Sequence, residues 1–208
     1  MDFRVTKLKK EHISEVVNIH MLAFPNFFLT FLGYNFLKEF YSSFLCDEQG
    51  IGLVAVEEDR VFGVIVGPLK PAGYFKKLLL RKWYVFCFAS IRAVLREPKT
   101  IKRLFEAFFY RGQAPQDKER ALLSSIAVSP NAQGYGIGEF LVHKWIDAIR
   151  SKGAIGCFLT TDAENNDKVN RFYQHLGFVI ESVYATSEGR VMNRYILDFA
   201  TQMKENPK

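Results

Sequence analysis

The chain has 208 residues, of which 49% are hydrophobic and 24% charged, so it can bury an ordinary core and we expect a single domain over residues 1–208. The formal net charge is +6. The segment Lys70–Arg111 holds eleven basic and two acidic residues, a local charge of +9, and leaves −3 for the rest of the chain. Because the basic residues are confined to one segment, we expect no nucleic-acid partner.

Three widely spaced cysteines, Cys46, Cys87 and Cys157, form no CxxC pair and no cluster with histidine. Their spacing argues against a disulfide framework and a zinc site, and we expect no metal. The N-terminal residues lack the apolar stretch of a signal peptide. The most apolar run, Trp83–Ile91, is far shorter than the roughly 20 residues that span a bilayer. These features predict a cytoplasmic protein.

The first third of the chain predicts strands and helices of ordinary length. Alternating apolar residues predict strands, and apolar residues at helical spacing predict helices. The expected elements are a strand at Phe3–Leu8, a helix at His12–Ala23, an aromatic loop or short turn at Pro25–Gly33, a helix at Tyr34–Leu45, and a hairpin of strands Ile51–Val56 and Val61–Val66.

A basic, aromatic block follows. Residues Ala72–Arg111 predict helix in two or three pieces broken near Pro98, and Gly112–Lys118 predicts a polar connector, so we treat residues 72–118 as a helical basic insertion. A basic amphipathic segment suits an anionic membrane surface, which would make residues 72–111 a peripheral membrane contact. The same pattern suits a solvated lid or a homodimer contact, and both interpretations stay open.

The last part of the chain alternates strands and helices regularly. The expected elements are a strand at Leu122–Val128, a turn at Ser129–Gly138, a helix at Glu139–Arg150 with Phe140, Leu141, Trp145 and Ile149 facing inward, a strand at Ile155–Thr160, a helix at Asn166–Leu176, and strands at Phe178–Thr186 and Val191–Phe199. This order predicts a mixed α/β fold with helices on the faces of a sheet.

The turn before the helix Glu139–Arg150 is the strongest chemical signal. An apolar strand runs into Gln133–Gly138, a turn with three glycines that opens a helix. Unpaired backbone N–H groups at a helix start bind phosphate oxygens, and glycines let the ligand approach closely. A Walker loop would need Gly-Lys-Ser/Thr where the chain has Gly138-Glu139-Phe140.

Two motifs resemble the GNAT N-acetyltransferase superfamily. The turn Gln133–Gly138 fits the pattern (Arg or Gln)-x-x-Gly-x-(Gly or Ala) of that family's pyrophosphate loop. The segment Asn166–Phe178 is similar to its helix Asn-x-x-Ala-x-x-(Leu or Phe)-Tyr-x-x-x-Gly-Phe, with Val169 in place of the usual alanine. The second motif begins 28 residues after Gly138, with one helix and one strand between them, as the family's layout requires. The resemblance covers about residues 1–71 and 119–200.

The resemblance implies a fold, a donor and a set of site residues. The fold would have a central, mostly antiparallel sheet that splays at the cofactor site, and acetyl-CoA would be the acyl donor for direct attack by a small-molecule amine, with no metal. Tyr173 would protonate the departing thiolate or hold the CoA sulfur. The donor-binding residues implied are Ile126, Ala127 and Val128 against the pantetheine arm, Gln133, Gly134, Tyr135, Gly136, Ile137 and Gly138 around the pyrophosphate, and Asn166 against the arm.

The general base is left open. Some relatives carry a glutamate on the strand before the turn, where this chain has Leu122–Ser125. A water held by Ser124 or Ser125, one of the carboxylates Asp162 and Glu164, or His20 could take the role. A lone histidine on an amphipathic helix is more often a packed residue than a catalytic one.

The acceptor is also left open. The aromatic segment Phe24–Gly33 resembles GNAT members associated with surface-polysaccharide pathways, which suggests an amino sugar. A peptide, an amino acid or a polyamine would also supply the amine. A catalytically silent CoA-binding module is the alternative of a different class, because the glutamate position is vacant.

Overall fold

The computed structural model describes residues 3–78, 80, 84, 120–186 and 189–200. Eight strands are present in these ranges: β1 Arg4–Lys7, β2 Gly50–Glu57, β3 Arg60–Pro68, β4 Arg120–Leu122, β5 Ser125–Val128, β6 Gly156–Asp162, β7 Val179–Ala185 and β8 Val191–Asp198. Five α-helices lie wholly within these ranges: α1 Ile13–Ala23, α2 Phe28–Leu32, α3 Tyr34–Ser43, α4 Ile137–Arg150 and α5 Asp167–His175. The predicted mixed α/β class is confirmed.

The strands form two four-stranded sheets. The first has the order β1-β2-β3-β5 and is antiparallel throughout, with the predicted hairpin of β2 and β3 at its centre. The second has the order β4-β6-β8-β7, in which β4 and β6 are parallel and the other pairs antiparallel. The expected sheet is therefore mostly antiparallel, and it is divided in two between β5 and β6.

Two hydrophobic clusters hold the sheets and helices together. The first lies under α1 and α3, where Phe36, Phe40 and Tyr41 of α3 are almost fully buried. The second lies under α4, whose Leu141 and Trp145 are 0% exposed. Successive strand residues face opposite sides, so β5 contributes Ala127 to the first cluster, while Ile126 and Val128 pack against the second.

Four predictions of local structure were wrong in detail. Residues Phe28–Leu32 form a short helix inside the expected loop, and Gly33, at φ 95°, ends it. The predicted strand Leu122–Val128 is two strands in different sheets. Helix α4 begins at Ile137 and not at Glu139, because the left-handed Gly136 turns the chain into the helix and inserts Ile137 into the core. Phe140 is 38% exposed at the edge of α4.

The basic insertion predicted over residues 72–118 lies mostly outside the described residues. Its beginning is helical at residues 74–78, and the Tyr74 ring stacks on Phe44 with 5.7 Å between centroids. Tyr74 and Phe75 are buried in the first cluster, so the insertion starts from the core. The predicted membrane and dimer contacts of residues 72–111 stay predictions. In the ranges given above, no helix is both long and apolar enough to cross a bilayer.

Candidate active site

The two sheets separate at a fork in the chain between β4 and β5. Strand β4 runs beside β6, and the Leu123 N–H still donates to the Phe158 carbonyl at 2.9 Å. The next amide, that of Ser124, donates to the Val66 carbonyl of β3 at 2.9 Å. The chain changes its pairing partner within one residue, so β5 follows β3 and diverges from β6.

One side of the resulting gap is the free edge of β5. The Ser129 N–H donates to the Phe62 carbonyl at 2.8 Å, which fixes the alternation of the β3–β5 ladder. Backbone groups in an antiparallel pair point alternately toward and away from the partner strand. Ala127 therefore directs its N–H and C=O to β3, whereas Ile126 and Val128 direct theirs into the gap.

The other side of the gap is the end of β6. The Ala163 N–H donates to the Val191 carbonyl at 2.9 Å, and the same alternation turns the backbone of Thr160 and Asp162 away from β8. The Asp162 carbonyl accepts from the side-chain amides of Asn166 and Asn170, at 3.1 and 3.0 Å. In the part of the chain that the structure describes, no strand fills the space between β5 and β6. The geometry suits an extended ligand that would pair with both edges.

The glycine turn lies where β5 ends. Gly134 and Gly136 have φ values of 87° and 76°, a conformation that favours glycine. The first hydrogen bond of α4 runs from the Phe140 N–H to the Gly136 carbonyl at 3.0 Å, so the preceding N–H groups, from Ile137 to Glu139, have no partner within the helix. The Ile137 side chain is 1% exposed, and only its backbone can meet a ligand. This geometry suits the binding of an anion at the positive end of the helix.

Gly138 brings three elements together. A Cβ at Gly138 would lie 3.6 Å from the Phe172 ring of α5 and 3.7 Å from Val128 of β5, both ordinary contacts. The turn, the free edge of β5 and helix α5 therefore meet at one place, as the two sequence motifs require. The protein itself leaves room for a methyl group at position 138, in agreement with a pattern that allows Gly or Ala there.

Asparagine side chains form hydrogen bonds between helix α5 and the end of β6. The Asn166 amide donates to the Thr161 hydroxyl at 2.7 Å and to the Asp162 carbonyl. The Asn170 side-chain oxygen accepts from the Tyr195 hydroxyl at 3.0 Å and from the Asn193 amide at 3.1 Å. The side-chain N–H groups of Asn166 are thus hydrogen-bonded within the protein. Any contact between this side chain and an acyl donor would therefore use its oxygen.

Tyr173 lies on α5 in an aromatic cluster. Its ring is 5.2 Å from Phe172, 5.6 Å from Phe178 and 6.0 Å from Tyr195 between centroids, and the side chain is 5% exposed. Burial raises the pKa of the Tyr173 hydroxyl well above its ordinary value, so the hydroxyl stays protonated at neutral pH. Among the described residues it has no hydrogen-bond partner. It is therefore in the form that can donate a proton or a hydrogen bond.

Two of the open candidates for the base are carboxylates. Asp162 is held by Arg190, whose Nη2 lies 2.8 and 2.7 Å from the two carboxylate oxygens. This ion pair engages both oxygens of the Asp162 carboxylate. Glu164 is exposed on the loop after β6. Across the described ranges, no group of three or more His, Cys, Asp or Glu could hold a metal ion.

A hydrogen-bonded chain joins two other candidates through a residue that the sequence did not single out. His20 Nδ1 lies 2.8 Å from the Tyr41 hydroxyl, which lies 3.1 Å from the Ser125 hydroxyl. His20 and Tyr41 are 1% and 0% exposed. The three residues come from α1, α3 and β5, and no local motif relates them. The neighbouring Ser124 hydroxyl is buried without a partner in the described structure.

The burial of His20 predicts that the protein becomes less stable as the pH falls. Burial lowers the pKa of His20 to about 4, from 6.5 in the unfolded chain, so between these values the unfolded chain binds more protons and stability falls as the pH falls. We expect the free energy of unfolding to drop by about 2 kcal/mol more between pH 7.5 and 5 in the wild type than in His20→Asn. Urea titrations at both pH values measure this difference. Equal drops in the two proteins would contradict it.

The fold and the site define a class of enzyme. The sequence model of the acetyltransferase (GNAT) family matches residues 13–178. The chain therefore belongs to the GNAT acetyltransferase family, and the resemblance noted in the sequence is confirmed. Among curated protein sequences, none matches the chain significantly.

Solved structures share the fold at low identity. An acetyltransferase of the GNAT family from Desulfovibrio desulfuricans is 18% identical with a TM-score of 0.62, over 95% of this chain and 98% of that one. The ribosomal-protein-S18-alanine N-acetyltransferase of Escherichia coli is 16% identical with a TM-score of 0.58, over 95% and 94%. A Brucella melitensis GNAT acetyltransferase in complex with acetyl-CoA is 17% identical with a TM-score of 0.54, over 95% and 88%. These likenesses establish the fold and leave the acceptor open.

Proposed function

We propose that the protein transfers an acetyl group from acetyl-CoA to a primary amine by direct attack of the amine on the thioester. The observation that carries the proposal is the gap between β5 and β6 beside the glycine turn. The turn offers N–H groups to a pyrophosphate, and the free strand edges offer hydrogen bonds to an extended amide-containing arm. The complex of the Brucella protein with acetyl-CoA supports the same donor here.

The gap would position the thioester for reaction. The backbone of Ile126 and Val128 faces the gap, and an N–H from this edge would polarise the thioester carbonyl as its oxygen gains negative charge. The Ala127 backbone is hydrogen-bonded to β3, so Ala127 would touch the pantetheine arm of the donor only by van der Waals contact. Tyr173 would donate to the departing sulfur, because its hydroxyl is protonated at neutral pH and held by packing.

The acceptor pocket would be formed by the aromatic segment between α1 and α3. Phe27 and Phe31 are 40% and 42% exposed, whereas Leu32 at the end of α2 is 2% exposed. Exposed aromatic faces suit stacking on a sugar ring, and we favour a small amino sugar as the acceptor. Peptide, amino-acid and polyamine amines are the alternatives to be tested beside it.

A thiol-release assay tests the function. The purified protein would be given acetyl-CoA and a panel of nucleotide amino sugars, amino acids, polyamines and peptides with free N-termini, with free CoA measured against time. Release that depends on one class of amine supports the proposal and names the acceptor class. Acetyl-CoA binding without release for every amine would favour a silent CoA-binding module.

Replacing Tyr173 with phenylalanine is expected to lower kcat about 10- to 100-fold, because general-acid assistance to the sulfur is lost. The KM for acetyl-CoA should change little, since the ring remains. The matched control is Tyr184→Phe on β7, which β8 separates from β6, and this variant should keep wild-type kcat. A Tyr173→Phe enzyme with wild-type kcat would show that sulfur departure needs no donor from this position.

A further inference from the structure

We propose that Ser125, Tyr41 and His20 form a proton relay, in which Ser125 accepts the proton that the attacking nitrogen loses and Tyr41 and His20 carry it inward. The inference deepens the proposed acetyl transfer and rests on it. It also supplies a proton acceptor for a chain that has no glutamate at Leu122–Ser125.

The relay leads from the reaction gap to the interior. Ser125 is half-buried on β5, immediately before Ile126, whose backbone faces the gap. Its hydroxyl lies 3.1 Å from the hydroxyl of Tyr41, which lies 2.8 Å from His20 Nδ1. Both distances are those of hydrogen bonds, and each group can both donate and accept a proton. A proton received at Ser125 therefore has a continuous path to an imidazole that is 1% exposed.

The environment of His20 reduces the stability of the folded protein, which a purely structural role does not explain. Its second nitrogen, Nε2, is buried and has no hydrogen-bond partner in the described residues. A buried polar atom without a partner lowers the stability of the folded protein. The rings of Phe24 and Phe27 lie 5.1 and 6.2 Å from the imidazole. Phe27 belongs to the proposed acceptor pocket, so the relay ends at a residue that is in ring contact with that pocket.

The protonation state of His20 fits an acceptor. Burial lowers its pKa to about 4, so the imidazole is neutral at physiological pH and Nδ1 is free to accept from Tyr41. A neutral imidazole with this pKa would not remove a proton from a free ammonium ion. Bond formation to the thioester carbon makes the nitrogen much more acidic, and the proton moves at that stage.

During the transfer, electron pairs move among nitrogen, carbon, oxygen and sulfur while protons pass along the relay. The amine lone pair forms the C–N bond while the carbonyl π pair moves onto oxygen. The nitrogen gives one proton to the Ser125 hydroxyl, Ser125 gives its own to Tyr41, and Tyr41 gives its own to His20 Nδ1. When the oxygen pair re-forms the carbonyl, the C–S bond breaks with its electrons on sulfur. The sulfur is then protonated by water, or by Tyr173, which takes a proton back from solvent. The imidazolium then returns its proton along the same three groups to solvent.

Three substitutions break the relay at successive points. Ser125→Ala removes the receiving hydroxyl, and Tyr41→Phe removes the link while keeping the ring. His20→Asn keeps a hydrogen-bond acceptor for Tyr41 but no base. Each is expected to lower kcat about 100-fold with the amine that gives the fastest thiol release, and to leave the KM for acetyl-CoA unchanged. Tyr74→Phe is the matched control, since Tyr74 is also buried and donates to the Ser43 carbonyl at 3.3 Å, outside the relay.

A proton inventory separates a relay from a structural role. The wild-type kcat, measured in mixtures of H2O and D2O, should fall along a curve, because several protons move together. In Tyr41→Phe the plot should become straight and the isotope effect smaller. Thermal melting of each variant shows that it is folded, and Tyr74→Phe should keep both the kcat and the curvature.

The outcomes distinguish the relay from the function on which it rests. If the wild type releases no thiol with any amine of the panel, both the proposed acetyl transfer and the proposed relay are contradicted. An active wild type together with undiminished Tyr41→Phe and His20→Asn would overturn the relay alone. Full kcat in His20→Asn with loss in Tyr41→Phe would also overturn it, because His20 would then serve only as a hydrogen-bond acceptor.

Discussion

Replacing Gly136 with alanine is expected to raise the Kd for acetyl-CoA about 10- to 100-fold. Among the described residues, the added methyl group meets no atom within 4 Å, and it would lie on the face of the turn that a pyrophosphate would approach. Losing one hydrogen bond from a backbone N–H to a charged oxygen costs about 1.5–3 kcal/mol, and each 1.4 kcal/mol is a factor of ten in affinity. Isothermal titration calorimetry with acetyl-CoA measures the change.

The control for this substitution must carry the same backbone strain. Gly136 has a φ of 76°, so alanine there also costs about 1 kcal/mol of stability. Gly153, at φ 86° just beyond the other end of α4, has equally open surroundings. Gly153→Ala should lose a similar stability and keep the wild-type Kd. A folded Gly136→Ala protein with unchanged affinity would show that the turn does not hold the donor.

Replacing Gly67 with alanine is expected to destabilise the protein by more than about 3 kcal/mol. A Cβ at Gly67 would lie 1.9 Å from the Leu122 carbonyl oxygen and 2.9 Å from the Trp145 ring. The carbonyl belongs to the backbone of β4 and the ring is fully buried, so neither can move away without separating β3 from β4 at the base of the fork. The urea midpoint of unfolding measures the loss.

The reason for this loss is steric and not conformational. The φ of Gly67 is not positive, so alanine can adopt its backbone conformation. Gly138→Ala is the matched control, since the new Cβ would meet Phe172 and Val128 only at ordinary contact distances. We expect its unfolding free energy to stay within about 0.5 kcal/mol of the wild type. If both variants unfold at the same urea concentration as the wild type, the close approach at Gly67 is not a constraint.

The parts of the site that the sequence predicted are those built from neighbouring residues. The turn Gln133–Gly138 needs glycines in the left-handed conformation and unpaired N–H groups at the start of a helix. Both requirements restrict which residues can occupy adjacent positions in the sequence. The segment Asn166–Phe178 is likewise one helix whose polar and aromatic positions recur at fixed spacing. In both cases the local pattern and the tertiary structure agree, so the pattern alone predicted the element.

The parts that the sequence did not predict depend on distant residues. The apolar run Leu122–Val128 has the composition of one strand, and its division depends on which strand lies beside each half. Similarly, Ser125 lies 84 positions from Tyr41, and Tyr41 lies 21 positions from His20. Only the packing of two helices on one face of β5 brings the two hydroxyl groups and the imidazole into contact. Hydrophobic periodicity carries no information about such pairings.

The fork also bears on how the protein keeps its shape. Along the gap, β5 is bonded to β3 and β6 to β8, so the two sheets are joined by the chain at Leu123 and Ser124 and by the helices that pack across them. A donor lying between β5 and β6 would act as the missing strand and bond the sheets to one another. Ligand binding and folding are then one linked equilibrium, and the stability of the enzyme rises with the concentration of its own donor.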